Sequence, residues 1–338
     1  MSKKLLYVGN KPSQSTGTVT TIESLSLLLA AEGFEVITTS AAKNKAHRLL
    51  DMIVTTFKNR KRVDYVLIDT YSTLNFTYAV TIAKLCRFYK IPYIPILHGG
   101  DLPRRLKKSP KASKKLFGKA HQNIAPSLYL KEVFNNAGFL NVAYIPNTIE
   151  ITNYPFLIRK EIKPKLLWVR SFSEVYNPTL ALKVLQKLRM QYPEASLCMV
   201  GPEKDGSLAK CKAISERQQL AVTFTGRLEK KEWISLSSQY DIFINTTNFD
   251  NMPVSVVEAM AVGIPIISTN VGGIPYLIQH ENTGILVSPN DVTGFVNAIS
   301  TLIQQPEYGV LLAENARKKA VTCDWENVKH SWLTLLNH

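Results

Sequence analysis

The chain has 338 residues, 45% of them hydrophobic and 20% charged, which is enough for two α/β domains with a core each. No apolar run approaches the ~20 residues that a membrane-spanning helix needs. The formal net charge is +15 at pH 7, and much of it lies in one short segment. The opening residues, Met1 to Gly9, are typical of a first β-strand and not of a signal peptide.

The cysteines indicate a reducing compartment. They are scattered, lie mostly in apolar segments and lack the spacing of metal ligands. Their positions are Cys86, Cys198, Cys211 and Cys323. We therefore expect reduced structural thiols in a cytoplasmic protein.

Apolar strands alternate with amphipathic helices along the chain, which is typical of a parallel sheet built from βαβ units. In the first half, strands are predicted at Lys4–Val8, Glu35–Thr38, Tyr65–Asp69, Tyr93–Leu97, Asn123–Ala125 and Val142–Ile145. Helices are predicted there at Thr18–Glu32, Ala46–Asn59, Asn75–Tyr89 and Ser127–Ala137.

The second half repeats this alternation. Strands are predicted at Lys165–Val169, Ser196–Val200, Val222–Thr225, Ile242–Asn245, Pro265–Ser268 and Ile285–Val287. Helices are predicted at Pro178–Gln191, Leu208–Gln218, Lys230–Gln239, Val254–Val262, Ile274–Ile278, Asp291–Gln304 and, last, Val328–Leu336.

The two blocks predict two Rossmann-like α/β domains, over residues 1–150 and 164–322, which face a central cleft. A proline- and charge-rich stretch, 151–163, is predicted to link them, and residues 323–338 to form a C-terminal helix. Ligands of such folds bind at the carboxyl ends of the strands.

One segment, residues 245–273, carries the most informative pattern, NTTNFDNMPVSVVEAMAVGIPIISTNVGG. An apolar strand is followed by a polar loop and by a helix that begins near Pro253. Ser255 and Glu258 have the spacing of a capping box, and Gly263 should end the helix. This predicts two carboxylates, Asp250 and Glu258, at a sheet edge beside a helix N-terminus, where phosphorylated ligands bind.

This segment resembles the donor-site signature of retaining nucleotide-sugar glycosyltransferases of the family-4 type (glycosyl transferases group 1), which have the GT-B fold. Their pattern is E-x7-E, then A-M-A-x-G-x-P and a glycine-rich loop. Glu258 is similar to the second acid, the AMAVGIP sequence follows it directly, and Gly272 and Gly273 lie beyond. The first acid differs, because Asp250 is one methylene shorter than glutamate. The likeness covers essentially the whole chain and implies a C-terminal helix that returns to the first domain.

The resemblance implies roles for individual residues. Arg170 would stabilise the departing diphosphate, and Asp250 and His98 would act beside the transferred sugar. Glu258 would bind the donor ribose. The remaining donor contacts would be Gly17, Asn177, Gly226, Arg227, Asn251, Met252, Pro253 and Val254. The family's lysine five positions after the arginine is absent, since Val175 stands there; Asn177, or a main-chain N–H of the helix that begins near Pro178, would substitute in part.

No metal is expected, because the chain has no D-x-D motif of the kind that metal-using glycosyltransferases carry. Protein cations and helix N-termini would then balance the charge of the leaving group. On the acceptor side, His98 ends a strand, and Gly99 and Asp101 follow it as candidate acceptor contacts. As a residue type at a strand end, His98 is equally well explained as a structural hydrogen-bonding group.

The basic segment from Arg104 to Lys119 has three possible interpretations: a solvated loop, a nucleic-acid site or a surface for anionic lipid. Leu106, Leu116 and Phe117 lie among its cations, which favours lipid, because apolar side chains can insert where lysines hold head groups. The candidate lipid contacts are Arg104, Arg105, Lys107, Lys108, Lys111, Lys114 and Lys115.

The sequence therefore predicts a metal-independent retaining glycosyltransferase that moves a hexose-type sugar from a nucleoside-diphosphate sugar to an acceptor hydroxyl. Surface polysaccharide or glycolipid assembly at the cytoplasmic membrane face is the expected context, with a sugar or lipid-linked acceptor. Two alternatives stay open: a sugar-nucleotide epimerase of the same fold, and a non-catalytic nucleotide-sugar-binding scaffold subunit. A nucleic-acid partner is not expected.

Overall fold

A computed structural model describes residues 3–11, 20–42 and 44–337 of the chain. The chain divides into two compact units, each with one six-stranded parallel sheet. The first unit comprises Met1–Pro146 and Lys329–His338, and the second comprises Asn147–Val328.

The first unit has the strand order β2-β1-β3-β4-β5-β6. Its strands are β1 (Lys4–Val8), β2 (Glu35–Thr39), β3 (Tyr65–Thr70), β4 (Tyr93–Leu97), β5 (Asn123–Ala125) and β6 (Val142–Tyr144). Its helices are α1 (Thr21–Ala31), α2 (Lys45–Asn59), α3 (Asn75–Phe88), α4 (Leu102–Lys108), α5 (Pro110–Phe117) and α6 (Leu128–Asn136).

The second unit has the strand order β12-β11-β10-β7-β8-β9. Its strands are β7 (Lys165–Val169), β8 (Ser196–Val200), β9 (Val222–Gly226), β10 (Ile242–Asn245), β11 (Ile266–Thr269) and β12 (Ile285–Val287). Its helices are α7 (Pro178–Leu188), α8 (Ser207–Arg217), α9 (Lys230–Ser237), α10 (Val254–Val262), α11 (Ile274–Leu277), α12 (Val292–Gln304) and α13 (Pro306–Val321). The last helix is α14 (Trp325–Asn337).

The strands are where the sequence predicts them, each within one residue at either end. On β7, Leu166 and Trp168 join one buried cluster, whereas Leu167 joins the other. Successive side chains of a strand point to opposite faces, so both faces of this sheet are covered. A strand buried on both faces is a continuous apolar run, which is why these strands could be predicted from the sequence.

Three helices were not predicted: α4, α5 and α13. The first two occupy the basic segment, whose density of lysine obscured the apolar periodicity. Leu102, Leu106 and Leu116 are nevertheless buried in the core of the first unit. Proline stands in the first turn of each of the three helices, a position where its missing N–H is not needed.

The stretch 151–163, which the sequence predicts to be a linker, packs into the second unit instead. Tyr154 and Ile162 are 2% and 3% exposed. The guanidinium of Arg159 donates hydrogen bonds of 2.7–3.0 Å to four backbone carbonyls. Burial lowers the pKa of Arg159 to about 10, against the opposing effect of Asp241. The charged composition misled the prediction, because these four hydrogen bonds allow the arginine to be buried.

The last helix contributes to the first unit through its C-terminal part. Lys329 lies 3.4 Å from the carboxylate of Glu32 in an ion pair. The Lys3 ammonium donates a 2.8 Å hydrogen bond to the carbonyl of Leu336. The two contacts attach the last helix to the residue before β1 and to the C-cap residue of α1.

The four thiols should be unreactive in the folded protein. All are free and buried, and burial raises the pKa of Cys86 to about 12 and that of Cys211 to about 11. Because the thiolate is the reactive form, we expect labelling by a disulfide reagent at pH 8 to be roughly 100-fold slower than for an exposed cysteine. Full labelling of four thiols in guanidinium is the control, and rapid labelling of any one in the native protein would contradict the burial described.

Candidate functional site

Three loops of the second unit meet at the carboxyl edge of its sheet. Strand β10 pairs with β7 on one side and with β11 on the other, so the loops that follow these strands are neighbours. Arg170 directly follows β7, Asp250 lies in the loop after β10, and Gly272 lies in the loop after β11. Arg170 and Gly272, which are 102 positions apart in the chain, are thereby brought to the same edge of the sheet.

The glycine pair lets two of these loops approach closely. Gly272 has φ +54°, and a Cβ on it would lie 2.3 Å from the carbonyl oxygen of Asp250. A Cβ on Gly273 would lie 2.0 Å from the carbonyl oxygen of Asn251. The Gly273 N–H donates a 2.9 Å hydrogen bond to the Asp250 carbonyl. Only glycine fits at these two positions, and their contact fixes the backbone of residues 250–251.

The predicted cation and the predicted first acid form an ion pair. The Arg170 guanidinium contacts the Asp250 carboxylate and lies 4.1 Å from the ring centre of Tyr176. Asp250 also accepts a 2.9 Å hydrogen bond from the N–H of Asn251. The Nε of Arg170 is buried without a partner among the described residues. Arg170 is thus placed as predicted, but its charge is balanced by a carboxylate.

Glu258 is buried in helix α10 and is held by two groups. Its Oε1 accepts a 2.7 Å hydrogen bond from the Tyr154 hydroxyl and lies 3.0 Å from the Lys230 ammonium. Burial, and next the charge of Glu258, raise the pKa of Tyr154. Both of these contacts are made by Oε1.

The predicted capping box is wrong. Helix α10 begins at Val254 with Pro253 as its N-cap, which makes no side-chain cap hydrogen bond. The Ser255 hydroxyl is buried without a partner among the described residues, and Glu258 faces Tyr154. Glu258 is only 5% exposed, so it belongs to the interior and not to the helix terminus. The predicted C-cap is confirmed, since Gly263 follows α10 with φ +79°.

The other predicted donor contacts are mostly engaged within the second unit. Asn177 donates hydrogen bonds of 3.2 Å to Asn248 and 2.9 Å to Asn290, so its amide is already used. Arg227 lies 3.0 Å from Glu229. Gly226 ends β9 with φ +70°, and Met252 and Pro253 are buried beside the partly exposed Val254. Gly17 lies outside the described residues.

Sequence reasoning missed two partners of Glu258. Tyr154 lies in the stretch that the sequence predicts to be a linker. Lys230 is the first residue of a predicted helix. Neither has a sequence spacing that points to residue 258, because the three positions meet only through tertiary folding. The position of Lys230, four residues after the Gly226 loop, was the only available signal.

In the first unit, His98 is part of a buried polar group at the end of β4. Its Nε2 lies 2.8 Å from Asp69, which also accepts a 2.8 Å hydrogen bond from the Tyr7 hydroxyl. The second oxygen of Asp69 is buried without a partner among the described residues, and a Cβ on Gly9 would lie 2.3 Å from it. Burial, followed by Asp69, raises the pKa of both Tyr7 and Tyr71. Asp69, at the end of a buried strand, was not singled out from the sequence.

The candidate acceptor residues after β4 differ in environment. A Cβ on Gly99 would lie 2.8 Å from the N–H of Ser72, so this position is closely packed. Asp101 is exposed and occupies the N-cap position of α4 without a side-chain cap hydrogen bond. The carboxylate of Asp101 is therefore placed at the surface and remains a candidate contact.

The basic segment forms α4 and α5, and its apolar residues do not face outwards. Leu106, Leu116 and Phe117 are at most 8% exposed and pack in the core, so the expectation that they insert into lipid is wrong. Arg105 is also not a free cation, because its guanidinium bonds the Ser72 carbonyl. The exposed cations are Arg104, Lys107, Lys108, Lys111, Lys114, Lys115 and Lys119.

The described residues contain neither a metal-ligand cluster nor a helix suited to span a membrane. No group of three or more histidine, cysteine, aspartate or glutamate side chains is placed to hold a metal ion within residues 3–11, 20–42 and 44–337. In the same ranges, no helix has the length and apolar character required to cross a membrane.

The sequence has relatives of established class. Residues 153–319 match the family model of glycosyl transferases group 1. A glycogen synthase of Mycobacterium tuberculosis is 25% identical over 194 residues, which are 56% of this chain and 47% of that protein. The UDP-Gal:alpha-D-GlcNAc-diphosphoundecaprenol alpha-1,3-galactosyltransferase of Escherichia coli is 23% identical over 199 residues, 54% of this chain and 50% of that protein. The chain thus spans about half the length of these relatives.

Solved structures resemble the chain over its full length. The sucrose-phosphate synthase of Thermosynechococcus elongatus has a TM-score of 0.80 at 14% identity, covering 99% of this chain and 98% of that one. Anabaena HepE, in complex with UDP and glucose, has a TM-score of 0.76 at 17% identity, covering 99% and 100%. The fold is GT-B, with two Rossmann-like α/β units. Residues 153–319, which lie in the second unit, belong to the group 1 glycosyltransferase family.

The hydrogen bond from Tyr154 to Glu258 should contribute to stability. Tyr154→Phe removes the donor and leaves a buried carboxylate with one partner fewer, so we expect the free energy of unfolding to fall by about 1–2 kcal/mol. Urea denaturation of the two proteins measures this. Tyr308→Phe, whose hydroxyl lies near Glu281 instead, is the matched control. Equal stability of the Tyr154 variant and the wild type would show that the bond is not made in solution.

Proposed function

We propose that this chain transfers a hexose-type sugar from a nucleoside-diphosphate sugar to an acceptor hydroxyl, with retention of anomeric configuration and without a metal ion. The observation that carries the proposal is the pairing of Arg170 with Asp250 at the carboxyl edge of the sheet, followed along the chain by helix α10, which holds the buried Glu258. The complex of Anabaena HepE with UDP and glucose supports the donor class.

The donor site would work by exchanging charge partners. Glycosyl transfer builds negative charge on the departing diphosphate and positive charge on the sugar ring. Arg170 would leave Asp250 and contact the diphosphate, because both are anions competing for one guanidinium. Asp250 would then be free to face the sugar, where its carboxylate binds hydroxyls and stabilises the oxocarbenium-like state.

Glu258 would bind the donor ribose. A carboxylate accepts hydrogen bonds from the two ribose hydroxyls, and Tyr154 and Lys230 hold this one through Oε1. The backbone of residues 251–254, fixed by the glycine pair, would position the anomeric carbon. Retention needs no strong protein base, since the leaving phosphate oxygen can take the acceptor proton. His98 and Asp101 would belong to the acceptor side.

We further propose a lipid-linked acceptor in surface polysaccharide or glycolipid synthesis. The Escherichia coli relative is named for a diphosphoundecaprenol-linked sugar acceptor. The exposed cations of α4 and α5 would attach the protein peripherally to the anionic inner face of the plasma membrane.

The donor assignment is tested with Glu258→Gln. The substitution keeps shape but removes the charge that orients the ribose hydroxyls, so we expect donor affinity and nucleoside diphosphate release to fall by about 100-fold. Calorimetry and a release assay with a panel of nucleotide sugars measure these changes.

Glu307→Gln, at an exposed position of α13, is the matched control. Full turnover by the Glu258 variant would refute the site. Analysis of the products separates the alternatives: an epimerised nucleotide sugar indicates an epimerase, and donor binding without any product indicates a scaffold subunit.

The absent lysine gives a gain-of-function test. Val175 is 41% exposed, and its backbone carbonyl accepts a 2.8 Å hydrogen bond from the Asn248 N–H, so a lysine fits there without repacking. Val175→Lys should tighten nucleoside diphosphate binding about fivefold, since an ammonium near an exposed phosphate is worth roughly 1 kcal/mol.

The gain should shrink in high salt, and Val175→Met is the uncharged control. An unchanged dissociation constant for the lysine variant would mean that position 175 does not face the diphosphate.

A further inference from the structure

The net positive charge of the chain lies entirely in the first unit. The second unit, Asn147–Val328, contains 18 lysines and arginines and 18 aspartates and glutamates, so the whole net charge of +15 lies in the first. Within the first unit, three stretches (52–63, 70–100 and 102–131) hold 16 lysines and arginines and no aspartate or glutamate. The segment with α4 and α5 is therefore only one part of a larger basic surface.

Aromatic residues cover the ends of two helices in this surface. Phe57, near the end of α2, lies 5.9 Å from the ring of Tyr89, and Phe88, the last residue of α3, lies 5.0 Å from it. The Arg60 guanidinium lies 3.9 Å from the ring centre of Phe57. Phe88 is 77% exposed and Phe57 is 45% exposed. We call Phe57, Arg60, Arg87, Phe88 and Tyr89 the aromatic–basic cluster.

The cluster is continuous with the cations of α5. Arg87 donates a 2.8 Å hydrogen bond to the carbonyl of Lys115 and a 3.3 Å bond to the Tyr93 hydroxyl. The end of α3 is thereby attached to the helix that carries Lys111, Lys114 and Lys115. Exposed cations also lie near these aromatic residues in the sequence, at Lys58, Lys61, Arg62, Lys84 and Lys90.

An anionic bilayer fits this surface better than water does. Contact between an exposed phenylalanine ring and water is unfavourable in free energy. The neighbouring cations would also repel one another without a counter-charge. At a bilayer, the cations meet the lipid head groups while the ring enters the acyl boundary below them. At the bilayer, the Arg60 guanidinium, which lies over the Phe57 ring, would contact the ring and a lipid phosphate together.

We propose that the aromatic–basic cluster inserts into an anionic phospholipid bilayer, with Phe88 as the leading side chain. The inference rests on the proposed membrane association but moves the apolar contact from α4 and α5, whose apolar residues are buried, to the ends of α2 and α3. The cations of α5 supply attraction at a distance, and the cluster supplies penetration.

The first experiment is co-sedimentation with vesicles of phosphatidylcholine containing about 30% phosphatidylglycerol, an anionic fraction that gives a substantial surface potential. We expect Phe88→Ser to weaken binding roughly tenfold, since one phenylalanine ring is lost from the apolar contact. Met190→Ser removes a residue that is 83% exposed in the second unit and is the matched control. Unchanged melting temperatures and nucleoside diphosphate release would show that the variants are folded.

The second experiment detects insertion directly. The four native tryptophans, at positions 168, 233, 325 and 332, are at most 5% exposed, so lipids with brominated acyl chains should not quench them. Phe88→Trp should add an emission that these lipids quench, and Met190→Trp should add one that they do not. No quenching of the Phe88 variant on bound vesicles would overturn the inference.

A third variant separates this inference from the proposed membrane association. Reversing charge with Lys111→Glu, Lys114→Glu and Lys115→Glu together should abolish binding at low salt. If this variant loses binding while both Phe88 variants behave like their controls, the protein docks by charge alone and the insertion proposal fails. If the wild type ignores anionic vesicles but binds an RNA oligonucleotide, both proposals fail and the basic surface has a nucleic-acid partner.

Discussion

The arrangement of the second unit depends on a close backbone contact that only glycine permits. Gly272 and Gly273 lie against the carbonyls of Asp250 and Asn251, so the loop after β11 supports the loop after β10. A side chain at either position would push this loop away, and Asp250 would lose its place beside Arg170. The ion pair and the path of the backbone into α10 both follow from this contact. The glycine pair is thus a positioning element for the acids.

The resting site is close to electrical neutrality, which has a chemical consequence. Arg170 is paired with Asp250, and Lys230 is paired with Glu258. An isolated buried cation would be costly, and pairing removes that cost while the site is empty. In the proposed function, a diphosphate that enters would replace a carboxylate, so its net gain would be the difference between two ion pairs. This exchange would favour a ligand with more negative charge than one carboxylate, which a nucleoside diphosphate has.

The sequence predicted the strands better than it predicted the contacts of the candidate site residues. Strands buried on both faces are continuous apolar runs, and glycine and proline mark their ends. The bounds of β7 and β10 could therefore be predicted to the residue. Glu258 lies in the predicted helix, but its partners Tyr154 and Lys230 were not predicted, because they approach it only through tertiary folding. The capping box failed for a similar reason: Ser255 and Glu258 have the right spacing, yet burial gave the carboxylate a stronger partner.

The separation of charge between the units bears on how one protein can use both an anionic surface and an anionic donor. A basic donor-binding unit would itself be drawn to anionic lipid, and head-group phosphates would compete with the donor for its cations. Here the second unit has no net charge and its Arg170 is already paired, so weak phosphate ligands gain little there. The first unit carries the net charge and would supply the proposed long-range attraction, which falls off within a Debye length of about 8 Å at physiological salt. Placing the two proposed tasks on different units would let each anion be bound by its own chemistry.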